Sequence, residues 1–280
     1  MKTSFIAFFN KHGIACASDT DKTLYALSKK EPVVIAVTPY SPIPWDDIIN
    51  AYLRQGDIPL HDDFADYAHD FIQYLTTIES KPQWAQLSDD EANVIFMGFG
   101  QDDLFPSAVD VYVRHDEDSR SLQCQYIEKR TIGHDLEAEH CLLGGFELMQ
   151  PMLYGISETA LNAMADRQAE NLKKFKQRMT KAFKKAHCPT SIASIPFDNR
   201  GPYVGNILGL DQSHQTRLNS AIASFNIEDM VKATETFIDV NGQLEHLKSG
   251  CIGNPESTKE LAVITRTEGL VWIKHCLFGL

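Results

Sequence analysis

Residues Thr3-Ser4-Phe5-Ile6-Ala7-Phe8-Phe9 and Gly13-Ile14-Ala15-Cys16-Ala17-Ser18-Asp19, joined by Asn10-Lys11-His12, decide how the rest of the chain is read. Two apolar runs with a short polar link before a glycine predict a β-hairpin. An antiparallel return sets Asp19 beside Thr3 and holds the start of the first strand against a buried sheet. A hydroxyl and a carboxylate at the open end of a hairpin carry a chemical meaning. A threonine hydroxyl is a weak nucleophile until a neighbouring base takes its proton. A terminal threonine has such a base in its own α-amine, with a reference pKa of about 8. The carboxylate then orients the site. The same residues also suit an ordinary hairpin closed by a capping aspartate.

The chain beyond the hairpin has a mixed pattern. A strand is expected at 33–38, a helix from Pro44-Trp45 to about Arg54, and a second helix from about Asp63 to Glu79. In the second helix Phe64, Tyr67, Ala68, Phe71, Ile72 and Leu75 recur at helical spacing. Strands are expected at Asn93–Phe99, Ala108–Arg114 and Leu122–Ile132, and an apolar helix at Phe146–Tyr154. A long amphipathic helix from Glu158 to about Ala186 stops before Pro189. A further helix or pair between about Gln212 and His246 breaks near Asn226, and strands at Leu261–Thr265 and Leu270–His275 follow. Two helical layers around paired sheets would bury all these faces.

Composition narrows the class of protein. The chain has 280 residues, 43% of them hydrophobic, which suffices for a substantial core, and no Pro-, Gly- or Ser-rich linker divides it. A net charge of −12 disfavours general affinity for nucleic acid or for anionic membrane. No apolar run approaches the ~20 residues of a membrane span, and Met1-Lys2 does not open a secretory leader, so the expected location is cytoplasmic. The six cysteines (Cys16, Cys124, Cys141, Cys188, Cys251 and Cys276) form no CxxC pair and fit buried reduced thiols.

Other motifs lack the chemistry they superficially suggest. His134 and His140 flank Asp135, Glu137 and Glu139, yet their spacing is not HExxH or any other ligand pattern, and no metal is expected. Lys173, Lys174, Lys176, Arg178, Lys181, Lys184 and Lys185 crowd the long helix and read as a solvated face or as a docking face for an acidic partner. Ser41 and Ser107 sit in no GxSxG elbow. Gly201-Pro-Tyr-Val-Gly205 with Gly209 lacks the GK[ST] ending of a phosphate loop, so no nucleotide cofactor is expected.

Several segments, taken in order, resemble the proteasome β-type N-terminal nucleophile (Ntn) hydrolases, in particular a bacterial proteasome-like branch. They are Thr3 with its strand, Gly13 to Asp19, Leu27-Ser28-Lys29-Lys30-Glu31-Pro32-Val33, and Ile43-Pro44-Trp45-Asp46-Asp47-Ile48-Ile49 with Tyr52-Leu53-Arg54. Asp66-Tyr67-Ala68-His69-Asp70-Phe71, Ala262-Val263-Ile264-Thr265-Arg266 and Glu268-Gly269-Leu270-Val271-Trp272-Ile273 extend the resemblance over most of the chain. It implies an α+β fold, a four-layer αββα sandwich, as a single domain over 1–280 with a helical elaboration at about 157–250. It also implies a homo-oligomer and a peptide or amide substrate, with no cofactor.

The resemblance assigns Thr3 as nucleophile and Asp19 as its orienting carboxylate, with a lysine on the next strand and a glycine N–H for the oxyanion. Counting back from Leu27-Ser28-Lys29 puts Thr23 at the lysine position, with Lys22 one residue away and therefore on the opposite face of a regular strand. After Val33–Val37 the chain reads Thr38-Pro39-Tyr40-Ser41-Pro42 where relatives carry the glycine, and proline has no N–H to donate. A free amine on Thr3 requires loss of Met1 and Lys2, and a bulky lysine after methionine resists ordinary removal. Two functions stand open. One is a binding or assembly module with a degenerate site. The other is an N-terminal-threonine peptidase or amidohydrolase in which Thr3 attacks, Asp19 orients and Lys22 lowers the local proton affinity.

Overall fold

The structure is a computed structural model that describes residues 4–27, 31–38, 41–56, 58–78, 93–116, 121–133, 135–144, 146, 170, 173, 174, 177, 217–249 and 258–274. The chain divides into two compact units, one of Met1–Phe146 with Asn219–Leu280 and the other of Glu147–Leu218. In the second unit the described positions 170, 173, 174 and 177 are helical, and Lys174 pairs with Glu170 at 2.7 Å. The expected helix at Phe146–Tyr154 and most of the basic run from Lys176 to Lys185 lie outside the described residues.

The first unit is a mixed α+β body with two five-stranded antiparallel sheets. Its strands are β1 (Ser4–Asn10), β2 (Gly13–Ser18), β3 (Leu24–Ala26), β4 (Val33–Val37), β5 (Asn93–Gly98), β6 (Ser107–Asp116), β7 (Ser121–Thr131), β8 (Ala138–Gly144), β9 (Glu260–Thr265) and β10 (Gly269–Lys274). One sheet runs β10-β9-β2-β1-β8 and the other β3-β4-β5-β6-β7. The helices are α1 (Trp45–Leu53), α2 (Phe64–Thr76) and α3 (Ile227–Ser249), with a helical stretch at 219–224 before α3.

The hairpin forms as its sequence predicts, with Phe5 opposite Ser18 and Asn10 opposite Gly13. Asn10 turns the corner twice over. Its Oδ1 accepts from His12 N at 2.8 Å, and its Nδ2 donates to the carbonyls of Ile222 and Phe225, both at 2.8 Å, where the helical stretch ends. Asn226 then caps α3 by accepting from Asp229 N at 2.9 Å, which explains the break expected near it.

Every residue of β1, β2 and β4 is buried, so these strands read as continuous apolar runs and do not alternate. Phe5, Ala7, Phe9, Ile14 and Cys16 pack between the sheets against Val34, Ala36, Ile95 and Met97. Val33, Ile35, Val37, Phe96 and Val111 look the other way, onto Trp45, Ile49 and Tyr52 of α1 and Phe64, Tyr67 and Phe71 of α2. On the far side of the first sheet, Phe8 meets Phe237 of α3 edge-on at 5.6 Å, and Asn241 donates to Ser4 Oγ at 2.7 Å.

Two elements differ from the sequence reading. Residues 138–144, weighed there only as a metal spacing, form β8 and pair with β1 along its whole length, from Ser4 opposite Gly144 to Asn10 opposite Ala138. The second helix stops at Thr76, where the cap N–H of Thr77 turns back to the Tyr74 and Leu75 carbonyls.

Candidate functional site

The turn after the hairpin (Thr20 to Lys22), Tyr25 of β3, the end of β4 and the start of α1 line an open cleft of about 530 Å³. Its wall is apolar where Val37, Ile43, Pro44 and Trp45 meet and polar where Thr20, Asp21, Lys22, Tyr25 and Asp46 meet. That volume lies within the usual range for small-ligand pockets.

Thr3 lies outside the described residues, and Ser4 marks its end of the hairpin. Asp19 is buried beside it. Its Oδ1 accepts from Ser4 N at 2.9 Å and its own N–H donates to the Ser4 carbonyl at 3.2 Å, so the carboxylate closes the hairpin by charge-assisted and backbone bonds together. The fold thus brings Asp19 to the residue that follows Thr3.

Lys22 goes elsewhere. Its backbone takes the left-handed conformation, φ +62°, and its ammonium reaches Asp46 Oδ2 of α1 at 2.7 Å with the side chain mostly in solvent. The hydrogen bond and charge of Asp46 raise the lysine above its usual pKa. Thr23 turns inward instead. Its Oγ1 lies 3.0 Å from Ser18 Oγ and 2.9 Å from Thr20 Oγ1, and Ser18 and Thr20 are 3.3 Å apart, a closed triangle of buried hydroxyls. An exposed pair such as Lys22–Asp46 contributes little to stability. Replacing Lys22 by methionine should therefore leave the thermal melting point unchanged, and a drop of several degrees would mean that Lys22 supports the turn in some further way.

Sequence reasoning missed Glu260 altogether. This residue opens β9, is fully buried, and grips the turn across the sheet. Oε1 accepts from Lys22 N at 3.0 Å, and Oε2 from Thr23 N at 3.1 Å and Leu24 N at 3.3 Å. Burial pushes its pKa up to about 7, against the lowering effect of those three donors and helped by Asp21. Burial, then Asp46 and Glu260, likewise hold the Tyr25 hydroxyl well above its usual range. Nothing in the local sequence marks Glu260, because its partners lie more than 230 positions away.

Among the described residues, two buried atoms of cleft-lining side chains have no hydrogen-bond partner, the Asp21 Oδ1 acceptor and the Trp45 Nε1 donor. The other hydroxyls are occupied: Ser41 Oγ accepts from Ile43 N at 3.2 Å, and Thr38 Oγ1 donates to the Asn93 carbonyl at 3.1 Å. Pro39 and Tyr40, at the expected oxyanion position, lie outside the described residues, whereas the N–H of Thr38 before them is bound to the Asn93 carbonyl at 3.0 Å.

A second polar cluster sits between the sheets. There Arg130 bonds Asp110 at 2.6 Å and Cys141 Sγ at 3.1 Å, while on the opposite face of β8 His140 Nδ1 meets Asn219 Oδ1 at 2.9 Å. Burial holds Asp110 above the usual carboxylate range in spite of Arg130. Among the described residues no group of histidines, cysteines and carboxylates is arranged to hold a metal ion, and no helix is long and apolar enough to cross a membrane. Compared with known families and with curated proteins, the chain matches no family model and no curated sequence.

Proposed function

We propose that this chain has the four-layer αββα architecture of the proteasome-like Ntn group and works as a binding or assembly module, its ancestral hydrolase site degenerate. Two sheets packed through one apolar layer support the architecture, with α1 and α2 against one outer face and α3 against the other.

One observation carries the functional half of the reading. The position that segment matching gives to the lysine holds Thr23, locked in its hydroxyl triangle, while the ammonium of Lys22 is committed to Asp46 outside. A cation beside a threonine nucleophile lowers the proton affinity of its surroundings, and three neutral hydroxyls do not replace that charge. The cleft itself persists. Its volume of about 530 Å³ and its lining, apolar at Val37, Ile43, Pro44 and Trp45 and polar at Thr20, Asp21 and Asp46, suit a short peptide or amide ligand.

The test is intact-mass measurement on the 280-residue chain after incubation with a threonine-directed electrophile, alongside a fluorogenic peptide-amide assay. The expected outcome is a mass that retains Met1-Lys2, no adduct and no turnover. A mass short by those two residues, with an adduct that the Thr3→Ala variant lacks, would restore the hydrolase.

A further inference from the structure

The far end of α1 carries a second cavity, of about 380 Å³. It opens where α1 and α2 both stop. Tyr52, Gln55 and Gly56 bring the C-terminal end of α1 to it, and Gln73, Tyr74 and Thr77 bring the C-terminal end of α2. A helix C-terminus is the negative end of the backbone dipole, and basic side chains in the last turn commonly answer it. Neither helix has one there. Arg54, the cap residue of α1, is exposed and is not part of the cavity lining.

Asp70 is the one charged side chain among the described residues that line the cavity. His61 steadies it, with Nε2 at 2.8 Å from Oδ2. A neutral imidazole that donates through Nε2 fixes the carboxylate and leaves its charge in place. Tyr52 and Tyr74, their ring centroids 5.0 Å apart, form an aromatic wall, which Ile58 and Pro59 extend. Burial, then the charge of Asp70, push the Tyr52 hydroxyl up to about 12, so the ring stays neutral and lies within the field of the carboxylate.

We propose that this cavity binds a small organic cation, a primary ammonium or guanidinium group on a short apolar stem. Each part of the lining favours that chemistry. The carboxylate and the two dipole ends supply negative potential with no cation in the lining to cancel it, which disfavours an anion. The tyrosines can take the cation over a ring face or the stem alongside. The exposed amides of Gln55 and Gln73 offer acceptors to the N–H groups of the ligand. The volume stands near the lower end of ligand-pocket sizes and suits a small group. This cavity shares no residue with the cleft at the start of α1, so the reading of Thr3 and the binding of a cation here stand or fall separately.

The test is ligand-observed NMR titration of the full chain with n-butylguanidinium and n-butylammonium chlorides, n-butanol and butyrate serving as neutral and anionic controls. Saturable binding of both cations with a Kd of about 1 mM or tighter is expected, and neither control should compete. Asp70→Asn should weaken binding about tenfold or more. Gln73→Lys, at an exposed position, tethers a cation in the lining and should displace both probes without disturbing the core. Asp66→Asn removes the same charge from the other end of α2 and should change the Kd by less than about twofold. A blocked Gly-Arg-Gly peptide separates the two sources of such a cation. Binding as tight as that of n-butylguanidinium supports a basic side chain of a partner, and binding about tenfold weaker supports a free amine. No saturation below about 10 mM, equal binding of butyrate, an equal loss in Asp66→Asn and Asp70→Asn, or unchanged affinity in Gln73→Lys overturns the proposal.

Discussion

Gly98→Ala should destabilise the fold by about 3 kcal/mol or more, enough to leave a domain of ordinary stability largely unfolded or insoluble. Gly98 ends β5 between Val33 of β4 and Ser107 of β6, with φ at +145°. A β-carbon there would lie 1.9 Å from the Pro32 carbonyl oxygen and 2.9 Å from both Pro32 C and Val33 Cα. All three atoms are backbone, and that same carbonyl accepts from Phe99 N at 3.2 Å. Relief requires β4 and β5 to separate in the middle of a sheet packed on both faces. Gly56 provides the control, since its φ of +142° is nearly the same and its β-carbon would meet nothing within 4 Å. Gly56→Ala thus reads the torsional penalty alone, about 1 to 3 kcal/mol at most. Chemical denaturation of both variants separates the terms, and equal losses would show that the strands yield at little cost.

Glu260→Gln should remove a pH dependence from stability. In the folded chain this carboxyl titrates at about 7, against 4.5 as its ordinary value. The folded form therefore binds the proton more tightly than the unfolded form. Its contribution is fully present below pH 4.5, falls as pH rises through 7, and is lost above that. The span corresponds to roughly 3 kcal/mol. The wild type should lose stability across that window relative to the variant. Above pH 7 the variant's single amide oxygen serves the N–H groups of Lys22, Thr23 and Leu24 less well than two carboxylate oxygens, which offsets part of what it gains by avoiding a buried charge. Parallel curves of melting point against pH for the two proteins would show that Glu260 does not titrate there.

The parts of this fold that were legible in the sequence are those whose partners are local or whose faces are uniformly apolar. The β1–β2 hairpin, α1, α2 and the closing pair β9–β10 each declare themselves within about twenty residues by period, cap or turn. Strand β8 does not, because Ala-Glu-His-Cys-Leu-Leu-Gly mixes polar and apolar side chains whose neighbours come from elsewhere: Cys141 meets Arg130, and His140 meets Asn219. At the site, the separation of Lys22 from Thr23 followed from strand parity alone, and the structure adds the reason that Lys22 points outward, a left-handed turn fastened by Glu260. Glu260 was illegible for the opposite reason. Its role exists only once β9 lies beside β2, with Ser18 opposite Glu260.

That last pairing also governs how the chain is made. Ile14 of β2 lies opposite Ile264 of β9, so the two halves of one ladder are synthesised 250 residues apart. At ~5–20 residues per second, β2 waits on the order of 12–50 s for its neighbour, far longer than hairpin formation or collapse takes. For most of that interval an apolar ribbon, from Phe5 to Ala17, has neither α3 nor β9 to cover it. The topology that buries the hairpin most completely in the finished protein makes it the segment most dependent on chaperone shelter during translation.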